Sequence, residues 1–161
     1  RHMGGRVAVM GTSVTIREQK FHTLLERFRT DSEIIPLACP GLGELIEAGQ
    51  TAGERVSGLL RQELESALDK PLDAVVLGCT HYPFVKKEIR RIVGERPEIL
   101  DGGTGTARHT QHRLAEAGLL KDHGVGSVMI ENSLDGKMVE LSRRLLDAPW
   151  GENALANGSP P

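Results

Sequence analysis

Within Cys79-Thr80-His81 a thiol and an imidazole stand two residues apart, at the end of the apolar run Ala74-Val75-Val76-Leu77-Gly78. A thiol beside a group that can take its proton is a nucleophile or a base. The histidine can also pass protons to a bound molecule, and the threonine hydroxyl with nearby backbone N–H groups can hold a carboxylate. Pro83 suits the first turn of a helix, because its missing N–H would be unpaired there anyway, and a helix dipole at that point favours an anion. Alone, Cys79 would pass as a small core residue and His81 as a cap. With Thr80 between them, the chemical interpretation is the stronger one.

The other polar clusters divide. Thr12 and Thr15, in Gly11-Thr12-Ser13-Val14-Thr15, stand where a glycine turn enters a helix; their hydroxyls fit an anion and fit an N-cap equally well. Cys39 precedes Pro40 on an apolar segment and reads as structural. His109 and His112 share a helix face, but no third ligand has matching spacing, so no metal is expected. Asp101-Gly102-Gly103-Thr104-Gly105 is neither a Walker motif nor a dinucleotide fingerprint, and reads as a turn with a helix start.

These clusters fall at the carboxyl ends of candidate strands. Arg6 to Met10 is a short β-rich run, followed by apolar residues at helical spacing from Thr15 to Arg29: Ile16, Phe21, Leu24, Leu25 and Phe28. Glu33 to Cys39 is a second strand, followed by helices over Leu42–Gly49 and from about Thr51 to Leu68. Ala74 to Cys79 precedes a helix starting near Pro83, and Pro97 to Gly103 precedes one from about Thr104 to Leu119. Such alternation predicts an α/β fold, an open parallel four-stranded sheet with helices on both faces. A further strand is expected over Gly124 to Glu131, and a helix from about Leu134 to Leu146. From Pro149 the chain loses periodicity, so residues 149–161 are expected to be a disordered tail. Arg1-His2-Met3 reads as a vector-derived extension.

Composition excludes several classes. The 161 residues carry 20 basic and 22 acidic side chains, a net charge of −2, which leaves no basic footprint for nucleic acid. Five aromatics, three Phe, one Tyr and one Trp, offer few stacking platforms for single strands. No apolar stretch approaches the roughly 20 residues of a membrane span. With two cysteines and no secretory segment at the start, a disulfide framework is not expected and a reducing cytoplasm is.

Taken together, "VVLGCTHYPF" resembles the signature around the second catalytic cysteine of glutamate racemases, within the aspartate/glutamate racemase family. "RVAVMGTSVT", "ACPGLGELIE" and "ILDGGTGTARHTQHRLAEAGLL" resemble other blocks of that family in order and spacing, and the similarity spans nearly all of Gly5 to Leu146. It implies a cofactor-independent enzyme that interconverts L- and D-glutamate with two cysteine bases and supplies D-glutamate for peptidoglycan. His81-Tyr82-Pro83 favours glutamate over aspartate, whose racemases usually carry Glu after Cys-Thr. By the resemblance, Cys79 is the base for the α-proton of L-glutamate and His81 its assisting acid or base. Thr80, Thr12 and Thr15 are then substrate ligands, and Glu47 positions His81. Glu18 and Phe21 depart from the family's Ser-x-x-Tyr at that turn.

The resemblance also implies a first domain, with its own cysteine, that these residues do not contain. Residues 4–102 are expected to form the α/β domain and residues 103–148 to pack on the missing one. The chain alone is then expected to lack useful racemase activity. The alternatives are an inactive binding module, dimerised through Gly124–Leu146 as an unpaired strand edge and its helix, and a related aspartate racemase.

Overall fold

The computed structural model describes residues 5–28, 32–121, 123–134 and 136–147. The anticipated extension at residues 1–3 and tail at 149–161 lie outside them. Strands β1 (Arg6–Gly11), β2 (Glu33–Ala38), β3 (Ala74–Leu77) and β4 (Glu98–Asp101) form one four-stranded sheet in the order β2-β1-β3-β4. All the pairings are parallel, with Ala8 opposite Ile35 and Val75, and Val75 opposite Ile99. The expected open parallel sheet is the observed one.

Strand alternation decides where the core lies. Ala8, Met10, Leu37, Val75, Leu77 and Ile99 share one face and are buried. On that face pack α3 (Leu42–Glu47), α4 (Glu54–Leu64) and α5 (Lys86–Val93), through Leu42, Ile46, Val56, Leu60, Leu64 and Ile89. Fully burying each such side chain stabilises the fold by about 1.5–3 kcal/mol. The chain moves from β1 outward to β2, then back past β1 to β3 and β4. Right-handed crossovers therefore place α1 (Ser13–Arg17) and α2 (Gln19–Glu26) on the opposite face from α3, α4 and α5. That second layer is thin, with Leu25 its one buried residue.

The structure corrects several element assignments. The helix expected over Thr15–Arg29 is broken at Glu18, whose extended backbone (φ −68°, ψ 131°) separates α1 from α2. The segment starting near Pro83 is a four-residue 3-10 turn, Tyr82–Val85, and the α-helix begins only at Lys86. No strand forms over Gly124 to Glu131: the segment is irregular, with Val125, Val128 and Met129 exposed. Its β-branched pattern finds no sheet edge to pair with, and without a ladder a strand has no hydrogen-bond partners. Helix α6 (Gly103–Glu116) has no buried residue, whereas α7 (Gly136–Asp147) buries Leu141 and lies beside Gly49 at the end of α3.

Candidate active site

In an open parallel sheet the ligand crevice lies beyond the carboxyl ends of the two strands whose connections leave in opposite directions. Here those strands are β1, which leads to β2 on one side, and β3, which leads to β4 on the other. Met10 pairs with Leu77, so Thr12 and Cys79 both stand two residues beyond that pair, side by side at the crevice. The strands approach closely there. Gly78 N–H donates to the Met10 carbonyl at 2.8 Å, and a Cβ on Gly78 would lie 2.7 Å from that oxygen. Only glycine lets β3 deliver the thiol this close to β1.

Beyond Gly78 the chain turns into the 3-10 segment, with Tyr82 N–H donating to the Cys79 carbonyl at 3.2 Å. The turn folds the imidazole back on the thiol, leaving Cys79 Sγ 3.7 Å from His81 Nδ1. The other ring nitrogen, His81 Nε2, is 3.0 Å from Glu47 Oε1. Glu47 is the last residue of α3, which reaches the site because Leu42 and Ile46 anchor it in the core. A carboxylate accepts only, so Nε2 carries the proton in this bond. In the neutral ring Nδ1 then holds the lone pair facing sulfur, ready to accept the thiol proton. A 3-10 turn intervenes between Cys79 and the α-helix that starts at Lys86, and the group that the structure places against the sulfur is the imidazole.

Tyr82 underpins this turn. It is buried, its hydroxyl donates to the Cys39 carbonyl at 3.4 Å, and burial pushes its phenol up from the ordinary value. Cys39 is buried as well, and its thiol is pushed up to about 12, first by burial and then by the charge of Glu63. It is chemically quiet where Cys79 is accessible.

The threonines fall as follows. Thr12 caps α1: its Oγ1 accepts from Thr15 N–H at 3.2 Å and lies 2.9 Å from Thr15 Oγ1. The N-cap interpretation is thus the one the structure shows, and both side chains are only partly buried. Thr80 is exposed at the rim. His112 is engaged by Glu116 at 3.3 Å on the solvated face of α6. Among the described residues no group of three His, Cys, Asp or Glu side chains could hold a metal ion.

Missing from the sequence-based list is the far wall. A cleft of about 490 Å³ has Glu47, Thr80 and His81 on one side and Met138, Leu141 and Leu145 of α7 on the other. The three α7 positions follow helical spacing, the signal that could have marked a face with something to cover.

Comparison with known proteins bears on the family and the fold. A family model described as Asp/Glu/Hydantoin racemase matches residues 1–110. A glutamate racemase of Clostridium perfringens (strain SM101 / Type A) is 45% identical over 148 residues, 91% of this chain and 57% of that protein. One from Clostridium acetobutylicum is 44% identical over 145 residues, 89% of this chain and 56% of its own length. Among solved structures, glutamate racemase from Francisella tularensis in complex with D-glutamate superposes with a TM-score of 0.65 at 26% identity, over 74% of this chain and 45% of that one. The Escherichia coli enzyme, in complex with L-glutamate and the activator UDP-MurNAc-Ala, gives 0.62 at 31% identity, over 69% and 42%. The chain spans a little over half the length of the curated relatives it matches.

Proposed function

The chain belongs to the Asp/Glu/Hydantoin racemase family, and from that premise we propose that it forms the part of a glutamate racemase that supplies one of two opposed cysteine bases. The observation that carries this reading is the continuous line from Cys79 Sγ through the His81 ring to Glu47, at 3.7 and 3.0 Å. His81 Nδ1 draws the proton from sulfur while Glu47 holds the ring in the required tautomer. The thiolate then removes the α-hydrogen of L-glutamate. The hydroxyls of Thr12, Thr15 and Thr80 receive the substrate carboxylate beside it, withdrawing charge from the carbanion as it forms. No metal or organic cofactor enters the scheme.

Inversion also needs a donor on the opposite face of the α-carbon, since a single base that returns its proton regenerates the starting enantiomer. Among the described residues Cys79 is the one accessible thiol, Cys39 being buried, so no second cysteine stands ready to act from the opposite face. The second base belongs to the part of the family fold that the relatives carry over their additional length. Relatives named glutamate racemase favour glutamate over aspartate as substrate. The product, D-glutamate, suits peptidoglycan synthesis in the cytoplasm. No helix among the described residues is long and apolar enough to cross a membrane.

The test is to incubate the 161-residue chain with each glutamate enantiomer in deuterated buffer. We expect slow deuterium incorporation at the α-carbon of L-glutamate only, with no change of optical activity, and its loss in Cys79→Ser. Inversion at a normal rate by the wild-type chain, or exchange persisting in Cys79→Ser, would sink the proposal. A second role, self-association through residues 124–146, is favoured by Val125, Val128 and Met129, which are 103%, 73% and 84% exposed. Light scattering should then report a dimer, and a monomer at all concentrations counts against it.

A further inference from the structure

A thiol, an imidazole and a carboxylate in line are also the components of a nucleophilic site, and nothing in their geometry restricts the sulfur to hydrogen abstraction. Cys79 Sγ faces His81 Nδ1, while His81 Nε2 faces Glu47. This is the order nucleophile, base, orienting group that thiol hydrolases require. Two further features belong to acyl chemistry. The thiol is half-exposed, at the mouth of an open crevice. The backbone N–H groups of Thr80 and His81, which immediately follow the sulfur, have no acceptor among the described residues. They are free to receive the oxygen of a carbonyl under attack, the role of an oxyanion hole.

We propose that this site hydrolyses esters and thioesters of small carboxylic acids through an acyl-Cys79 intermediate. The inference rests on the same assignment of Cys79, His81 and Glu47 as a proton-transfer group, and adds a reaction that needs no second base. In the first half, His81 Nδ1 takes the thiol proton and sulfur attacks the carbonyl carbon. The carbon–sulfur bond forms and the carbonyl electron pair moves to oxygen. The tetrahedral species collapses, breaking the bond to the leaving group, which departs with the proton from His81. In the second half, His81 takes a proton from water as that water attacks the thioester carbonyl. The carbon–sulfur bond breaks and sulfur recovers the proton. The sum is ester or thioester plus water giving acid plus alcohol or thiol, with no oxidant or reductant. The cleft of about 490 Å³ is lined by Thr80 and His81 but not by Cys79, so the thiol works at its rim, and small acyl groups with good leaving groups are the class it fits.

The experiment uses p-nitrophenyl acetate and the whole 161-residue chain. Expected are a burst of nitrophenolate, an acetyl group on Cys79 by mass spectrometry, and then steady turnover. His81→Asn should slow the steady phase by about 100-fold, the scale of a positioned general base, and Glu47→Gln less. Should Glu47→Gln disturb folding, Glu47→Asp is the second variant, and partial recovery of the steady phase is expected. Acetylation that stops after one equivalent overturns the proposal, as does turnover that persists in Cys79→Ala. Alkylation of Cys79 by iodoacetamide separates this failure from failure of the racemase reading. If alkylation slows in His81→Asn while no acyl turnover occurs, the proton-transfer group stands and the hydrolase alone falls. If alkylation ignores His81, both fall.

Discussion

Two sulfur atoms of the same type meet opposite surroundings in this chain. Cys39 is 2% exposed and Cys79 opens onto the crevice. Iodoacetamide at neutral pH should therefore label Cys79 alone in the native protein, and both thiols after unfolding in urea. The buried thiol also makes stability depend on alkaline pH. Its proton is released near 9.0 in the unfolded chain and near 12 in the folded one. Between those values the unfolded chain has lost a proton that the native chain keeps, so stability is present below 9.0 and falls as pH rises towards about 12. The buried phenol of Tyr82 is shifted in the same direction and adds a loss of the same sign at higher pH. Urea midpoints measured from neutral to strongly alkaline pH should fall, and less steeply in Cys39→Ala. A flat profile would mean that Cys39 is not sealed. Residue type and neighbours already pointed to a structural Cys39, because an apolar strand and a following proline leave a thiol little to do. Sequence could not show that the Thr12 and Thr15 hydroxyls bond each other, since the choice between cap and ligand is made by a torsion.

At the level of elements, the order of strands and helices was legible because the hydrophobic period switches between two and 3.6 along most of the chain. What escaped it was local backbone choice and non-local pairing. Glu18 breaks an otherwise helical pattern with one extended residue, and Pro83 sits second in a 3-10 turn that looks from its sequence like an α-helix start. Residues 124–131 have strand-forming side chains, yet a strand exists only where another offers its edge. Docking of α7 was equally hidden, since amphipathic spacing shows a face without saying what it meets. Leu141, its buried residue, lies beside the turn at Gly49, where an added Cβ would meet its Cδ1 at 3.7 Å. A charge there should release the helix from the wall of the His81 cleft. In Leu141→Asp we expect hydrogen exchange over residues 136–147 to become fast while residues 54–64 stay protected. Carbethoxylation of His81 should accelerate severalfold. Leu141→Met, which keeps shape and polarity and costs under about 1.5 kcal/mol, should leave both unchanged. Unaltered exchange in the aspartate variant would show that α7 is held by something other than this contact.

Across the whole molecule, the distribution of burial separates a self-sufficient part from one that is not. The sheet and α3, α4 and α5 enclose a continuous core that includes the residues beneath the Cys79 turn. Helix α6 departs from β4 with none of its 14 residues buried. Its first turn is tied down: Asp101 accepts from Gly103 N–H at 2.9 Å and from Lys86 Nζ at 3.3 Å. Beyond that turn it has its own hydrogen bonds, two exposed contacts from His112 and Arg113 to Glu116 worth little each, and glycine and threonine in its opening turns, which are poor helix formers. A helix of this length is marginal in water when tertiary packing does not support it. Amides of α6 should accordingly exchange with solvent at least about a hundredfold faster than those of α4, following the gradient from unsupported to core elements. Leu114, Leu119 and Leu120 remain exposed along and just past α6, so the helix has an apolar side to offer. Protection of α6 that grows with protein concentration would identify a second copy as its cover. Protection equal to that of α4 at every concentration would contradict the account of α6 as an element without packing of its own.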